Sequence, residues 1–400
     1  MNDGPEGARY LLSAAAVRER CGVVYDAGAR GELRHFRLVS SRLDEAVRRV
    51  VAITRRRHPD LDVPFHSRWR HFATGGIERA QLVALGAEPA EMARARLDLA
   101  IVSVLLDAGA GSQWRFYEAE TGQTFARSEG LAVASLRAME QGLFSADRSQ
   151  PWRADAAALA AVTPATLAGA FQHRADNQLA AIDGRAALLR RLGEAAMERP
   201  ELFGRPARLG NLYDHWVPRR EALPAPEILG TLLRALGPIW PGRLTLAGVP
   251  LGDCWPHSCV PGDGLVPFHK LSQWLAYSLI EPLAAAGFRV TEIDGLTGLA
   301  EYRNGGLFLD TGVIEPRDPG LLRHVLDPTS EAVVEWRALT VVLLDQIAVR
   351  VRETLGKTIA EFPLARVLEG GSWAAGREIA RERRPDGSPP LTIRSEGTLF

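Results

Sequence analysis

The segment LDEAVRRVVAIT, residues 43–54, repeats apolar side chains every three or four positions between acids and arginines, the spacing that lines one face of an α-helix. The same period runs through residues 82–106 and, less cleanly, through 156–170 and 179–197, and long helical stretches resume at 267–286 and 331–355. Strand signals are brief: residues 114–118 and 124–126 flank Thr121-Gly122 as a hairpin, and 289–293 reads as one short extended run. The prolines of 218–226 and 238–267 punctuate stretches too apolar and irregular for disordered linkers. We therefore expect a mainly α protein. It should form a single compact helical body over residues 1–385 with a few short strands, followed by a loose polar tail over 386–400.

With 400 residues, 46% of them hydrophobic, the chain can bury a large core. Lys+Arg and Asp+Glu are both 48, so no net field attracts nucleic acid or an anionic membrane, and neither is expected as a partner. Only two of the 48 basic residues are lysines, Lys270 and Lys357. A compact ammonium where arginine is the habitual choice singles out Lys270. Three cysteines, Cys21, Cys254 and Cys259, argue against a disulfide framework and for a reducing compartment. The start of the chain lacks a signal pattern, and no apolar run approaches the ~20 residues of a membrane span. A soluble cytoplasmic protein is the expectation.

Five constellations carry candidate chemistry. His66-Ser67-Arg68-Trp69-Arg70-His71-Phe72 sets guanidinium groups beside an aromatic plane, an anchor for phosphate, carboxylate or a planar ureido group, although Trp69 equally suits a core. Asp107-Ala108-Gly109-Ala110-Gly111 ends an apolar run ahead of Trp114; a carboxylate at that boundary suits proton transfer, and the same pattern also serves as an ordinary helix stop. Asp253, Cys254, His257 and Cys259 have the residue types of a zinc site without its spacing, so no metal or other cofactor is expected. Lys270, Trp274 and Ser278 share one helical face and suit an anion or sugar hydroxyls. The densest group is Asp294 with Glu301-Tyr302-Arg303-Asn304-Gly305-Gly306, two carboxylates and polar donors between glycines.

Four of these segments, 66–72, 105–111, Arg127-Ser128-Glu129-Gly130-Leu131 and Glu301-Tyr302-Arg303-Asn304-Gly305-Gly306, resemble the uracil catabolism protein 4 family, and the resemblance spans nearly the whole chain. That family accompanies a uracil phosphoribosyltransferase and a ring-opening enzyme similar to GTP cyclohydrolase II. Membership implies a step near ribosylurea and release of urea. Leu299-Ala300-Glu301-Tyr302-Arg303 is also similar to the Ala-Asp-Tyr-Arg segment of queuosine salvage N-glycosidases, which implies a DNA-glycosylase-like fold. The chain departs from that segment at Glu301, where those proteins carry aspartate, and after Arg303.

Cleaving a ribosyl–nitrogen bond develops an oxocarbenium ion that a carboxylate stabilises, or relieves through activated water. The expected catalytic carboxylates are Glu301 or Asp294, with Asp107 as partner or orienting acid. Substrate contacts are expected from His66, Arg68, Trp69, Arg70, Trp114, Lys270, Trp274, Tyr302, Arg303 and Asn304, the tryptophans by stacking. The expected partner is a small ribosylated urea or pyrimidine-derived molecule, with or without a phosphate. Two other activities fit the same residues: a metal-assisted amidohydrolase, which chelation would silence, and a non-catalytic binding protein, whose affinity would survive loss of the acids. The oligomeric state is open.

Overall fold

Helix Leu43–Arg57 buries Leu43, Ala46, Val47, Val50, Val51 and Ile53 along one face, with Asp44 and Glu45 in its first turn and Arg55, Arg56 and Arg57 in its last. That charge order complements the helix dipole at both ends. The computed structural model describes residues 4–240 and 244–394, and helices of this kind dominate it. The longest, Glu331–Leu355, stops where Gly356 turns left-handed at φ 65°. Sheet structure among the described residues is confined to six two-stranded pairs. No helix is long and apolar enough to cross a membrane.

The chain divides into two compact units. Among the described residues, the first comprises 4–66, 244–273 and 292–394, and the second 67–240 and 274–291. Helix Lys270–Ala285 contributes to the first through Gln273 and to the second from Trp274 onward.

In the first unit, helices Ala14–Ala29 and Leu43–Arg57 pack on Glu331–Leu355, while Tyr302–Asp310 packs on Trp373–Arg383. Glycines set the closest of these approaches. A Cβ on Gly376 would lie 1.9 Å from the Arg303 carbonyl oxygen, and one on Gly305 would lie 2.2 Å from the Trp336 ring. Trp336 returns the contact by donating Nε1–H to the Gly305 carbonyl at 3.2 Å.

In the second unit, Pro89–Leu105 is buried along most of its length and packs on Arg127–Glu140. The hairpin pairs Arg115–Glu118 antiparallel with Gln123–Ala126, as its turn signal implied. Glu118 points inward at 1% exposure and holds the guanidinium groups of Arg79 and Arg137. Those bonds outweigh the cost of burial and lower its carboxyl to about 2.

Element boundaries differ from the periodicity at definite residues. The helix expected over 82–106 begins at Pro89, because Gly86 sits at φ 84° and Pro89 occupies the first turn. The stretch 156–170 breaks into Ala156–Ala160 and Pro164–Ala170, where Pro164 cannot continue a helix and Thr163 caps a new one. Residues 386–394 of the expected loose tail are held: Thr392–Ile393 pairs parallel with Val325–Leu326 and Leu391 is buried. Residues 395–400 of that tail lie outside the described residues.

Gly376→Ala should lower stability by about 1–3 kcal/mol, since its methyl group meets backbone rather than a yielding side chain. Gly22→Ala, in open space within helix Ala14–Ala29, should raise it by about 0.5–1 kcal/mol. Urea unfolding midpoints of the two variants check both signs.

Candidate functional site

Helix Tyr302–Asp310 starts at Glu301, whose extended backbone and carboxylate cap it by accepting from the Arg303 N–H at 2.8 Å and from the Asn304 N–H. Glu301 is only 7% exposed. Burial pushes its carboxyl upward, while the two N–H bonds and the charges of Lys270 and Arg303 pull it back. The result is a fixed, poorly hydrated acid beside positive charge.

Asn304 is fully buried; its amide donates to the Leu299 carbonyl and accepts from Ser372 Oγ at 2.9 Å. Ser372 ends a π-helical turn, Leu368–Ser372, that seats against helix Leu43–Arg57. Only glycine fits there, since a Cβ on Gly371 would lie 2.5 Å from the Val50 carbonyl oxygen. Glu369 of the same turn bonds His66 Nδ1 at 2.8 Å, and the His66 backbone N–H donates to the Ala365 carbonyl. Such π-turns recur at functional positions.

Lys270 opens its helix behind His269, a buried non-glycine residue at φ 49°, so backbone strain sits directly before the lysine. Asp253 receives the Lys270 N–H at 3.1 Å and both terminal nitrogens of Arg337 at 2.8 and 2.7 Å. Arg303 donates to the Gly387 carbonyl and lies over the ring of Tyr302, which is 39% exposed. Asp294 belongs to the same unit but has other partners: the Leu364 N–H at 2.6 Å and Arg352 at 3.5 Å. Burial raises its carboxyl as well.

The second unit gathers the remaining candidates. Arg68, with no exposed surface, donates Nε–H to Ser103 at 2.7 Å and pairs with Asp107 at 2.9 Å. Its Nη1 also reaches the Ser128 carbonyl and His71, and its guanidinium lies 5.5 Å from the Trp274 ring centroid. Ser128 donates to Asp107 and follows Arg127, another left-handed non-glycine at φ 55°. Ser278 receives the Arg68 N–H on its hydroxyl and the Trp69 indole N–H on its carbonyl, and Arg70 pairs with Glu281. Trp114 is fully buried, stacked on Phe171 and donating to its carbonyl, so it offers a ligand no surface.

The zinc-type residues are spent on other work. Asp253 is committed to Arg337 and Trp255, burial pushes the Cys254 thiol up, and His257 is raised to about 9 because Cys259 and Glu335 outweigh its burial. No group of His, Cys, Asp or Glu among the described residues is disposed to hold a metal ion.

Three further residues escaped the motif reading. Glu369 and Ser372 flank Gly370-Gly371, and that glycine pair beside an acid was the available signal. Arg185 had none: fully buried, it donates to the carbonyls of Leu106, Ala108 and Gly109 and splints the loop carrying Asp107.

A family model described as "Protein of unknown function (DUF1688)" matches residues 10–400. The chain is 40% identical over 407 residues to "Protein urg3" of Schizosaccharomyces pombe, covering 99% of each chain. It is 35% identical over 434 residues to "Uracil catabolism protein 4" of Lachancea kluyveri, covering 98% of each.

Asp107→Asn should cost about 3–5 kcal/mol, because it leaves the enclosed Arg68 charge without its counter-ion. Glu227→Gln, which breaks the exposed pair with Arg219, should change stability by less than about 1 kcal/mol. Denaturant titrations of both variants make the comparison.

Proposed function

The chain belongs to the uracil catabolism protein 4 family, and from that membership we propose that it acts in uracil catabolism as an N-glycosidase-type hydrolase, releasing urea from ribosylurea or its 5′-phosphate. The observation that carries the chemistry is Glu301, a buried carboxylate pinned by two backbone N–H groups and facing positive charge. Pinning removes the reorganisation that a mobile acid must undergo as charge develops on the sugar. Burial strengthens its field by excluding water.

In this reading the ionised Glu301 opposes the oxocarbenium charge and accepts a proton from the attacking water. Lys270 and Arg303, the cations that act on Glu301, also serve the ring hydroxyls or a 5′-phosphate. Tyr302, the most exposed member of the group, supplies an aromatic face to the planar ureido moiety. Asn304 and Ser372 keep the start of the helix in register.

Purified protein incubated with synthetic ribosylurea or its 5′-phosphate should release urea, and Glu301→Gln should lower kcat/KM by about 10²–10⁴-fold. Failure to turn over either form would overturn the proposal. The sign of the pH dependence follows from the raised carboxyl of Glu301: kcat/KM should rise with pH along an acid limb lying above the ordinary glutamate value of about 4.5. That limb should be absent from the residual activity of Glu301→Gln.

A further inference from the structure

A lysine in the first turn of a helix meets the positive end of the helix dipole, and a side chain on left-handed backbone is strained. Helix Lys270–Ala285 begins with both: Lys270 is its first residue, and His269 at φ 49° precedes it. Such costs persist only where the surroundings enforce them. At this corner the enforcing residue is Asp253. Its carbonyl accepts the N–H groups of Phe268 and His269 at 2.8 and 3.3 Å, and its carboxylate accepts the Lys270 N–H at 3.1 Å. Three consecutive backbone N–H groups thus end on one residue, whose negative charge also offsets the dipole that the ammonium meets.

Asp253 is itself fixed. Both terminal nitrogens of Arg337 and the Trp255 indole N–H bond its carboxylate. Burial opposes its ionisation, yet Arg337 and these bonds hold the carboxyl well below the usual aspartate range. His269 adds an outer tie, donating Nε2–H to the Leu11 carbonyl at 2.7 Å. A lysine side chain is a flexible stem, so the place of its charge depends on a fixed backbone. That charge acts on Glu301 in the same unit, where burial raises the carboxyl and Lys270 and Arg303 are the charges that limit the rise. We propose that Asp253 is a positioning residue: by fixing residues 268–270 it directs the Lys270 ammonium at Glu301. Its part in catalysis rests on the N-glycosidase reading, in which ionised Glu301 is the reacting acid.

The experiment follows the ionisation midpoint of Glu301 through the carbon resonance of its carboxyl, identified by its loss in Glu301→Gln. Lys270→Met should raise the midpoint by at least about half a pH unit. Asp253→Asn, whose amide can serve only one of the two sets of donors on the carboxylate, should raise it in the same direction. The sign is diagnostic, because removal of a negative charge acting directly on Glu301 would lower it. In the Lys270→Met background Asp253→Asn should therefore leave the midpoint unchanged or lower it. Asp253→Asn also leaves the enclosed Arg337 charge without a counter-ion, which threatens folding, whereas Asp253→Leu with Arg337→Met removes both charges together. The paired change should raise the midpoint as well. A midpoint unmoved or lowered in Asp253→Asn, or in the paired change should the first not fold, would overturn the proposal, as would an equal rise in protein lacking Lys270. On ribosylurea the acid limb of kcat/KM should move with the midpoint. Absence of urea release by the wild type would overturn the glycosidase reading, while the midpoints still decide whether Asp253 places Lys270.

Discussion

A helix start exposes N–H groups that no residue of the helix can satisfy, and at Tyr302–Asp310 that need is met by Glu301. The arrangement binds structure and chemistry to one side chain. Burial favours the neutral acid and prevails, so the carboxyl is raised, while the cap and the charges of Lys270 and Arg303 favour the ionised carboxylate and limit the rise. Neighbouring architecture serves that balance. Gly376 lets a second helix press against the Arg303 carbonyl, Gly305 admits Trp336, and the π-turn reaches Asn304 through Ser372. Left-handed non-glycine residues stand within two positions of two functional candidates, His269 before Lys270 and Glu292 before Asp294, and Arg127 precedes Ser128, which donates to a third, Asp107. Such strain persists only where surrounding packing enforces it.

Arginine burial is the second organising constraint. Arg68, Arg79, Arg185 and Arg337 have no exposed surface. A guanidinium carries five donors in a plane and is less strongly hydrated than an ammonium, so it can be enclosed when several acceptors surround it. The structure supplies them in two ways. Arg79 and Arg337 lie against carboxylates, whereas Arg185 is met by four backbone carbonyls, those of Leu106, Ala108, Gly109 and Ala180. In the latter case desolvation dominates and its value falls to about 10. These groups tie loops to helices at points where apolar side chains have no directional hold.

The mainly helical fold was legible because one-sided apolar periodicity is a local property, and residues 331–355 carry it without interruption. Errors of extent arose where a single residue vetoed the pattern, as Gly86 and Pro164 did. The chemistry-bearing segment around Glu301 also stood out, since acids, an arginine and an asparagine between glycines rarely serve a plain surface. Its partners were not readable. The bonds between His66 and Glu369, and between Asn304 and Ser372, join residues 303 and 68 positions apart. No local pattern encodes such a pairing. Trp114 shows the converse limit, because an aromatic beside a glycine-rich loop reads alike whether it meets a ligand or, as here, Phe171.

The first unit is assembled from three separated stretches, and the last of them supplies the Gly387 carbonyl that receives Arg303 and the strand that pairs with Val325–Leu326. Chains emerge from the ribosome amino end first. Nascent protein therefore lacks that brace on its capped helix until residues 387–393 have been synthesised. A message cut short before the codon for Gly387 yields a product without that brace.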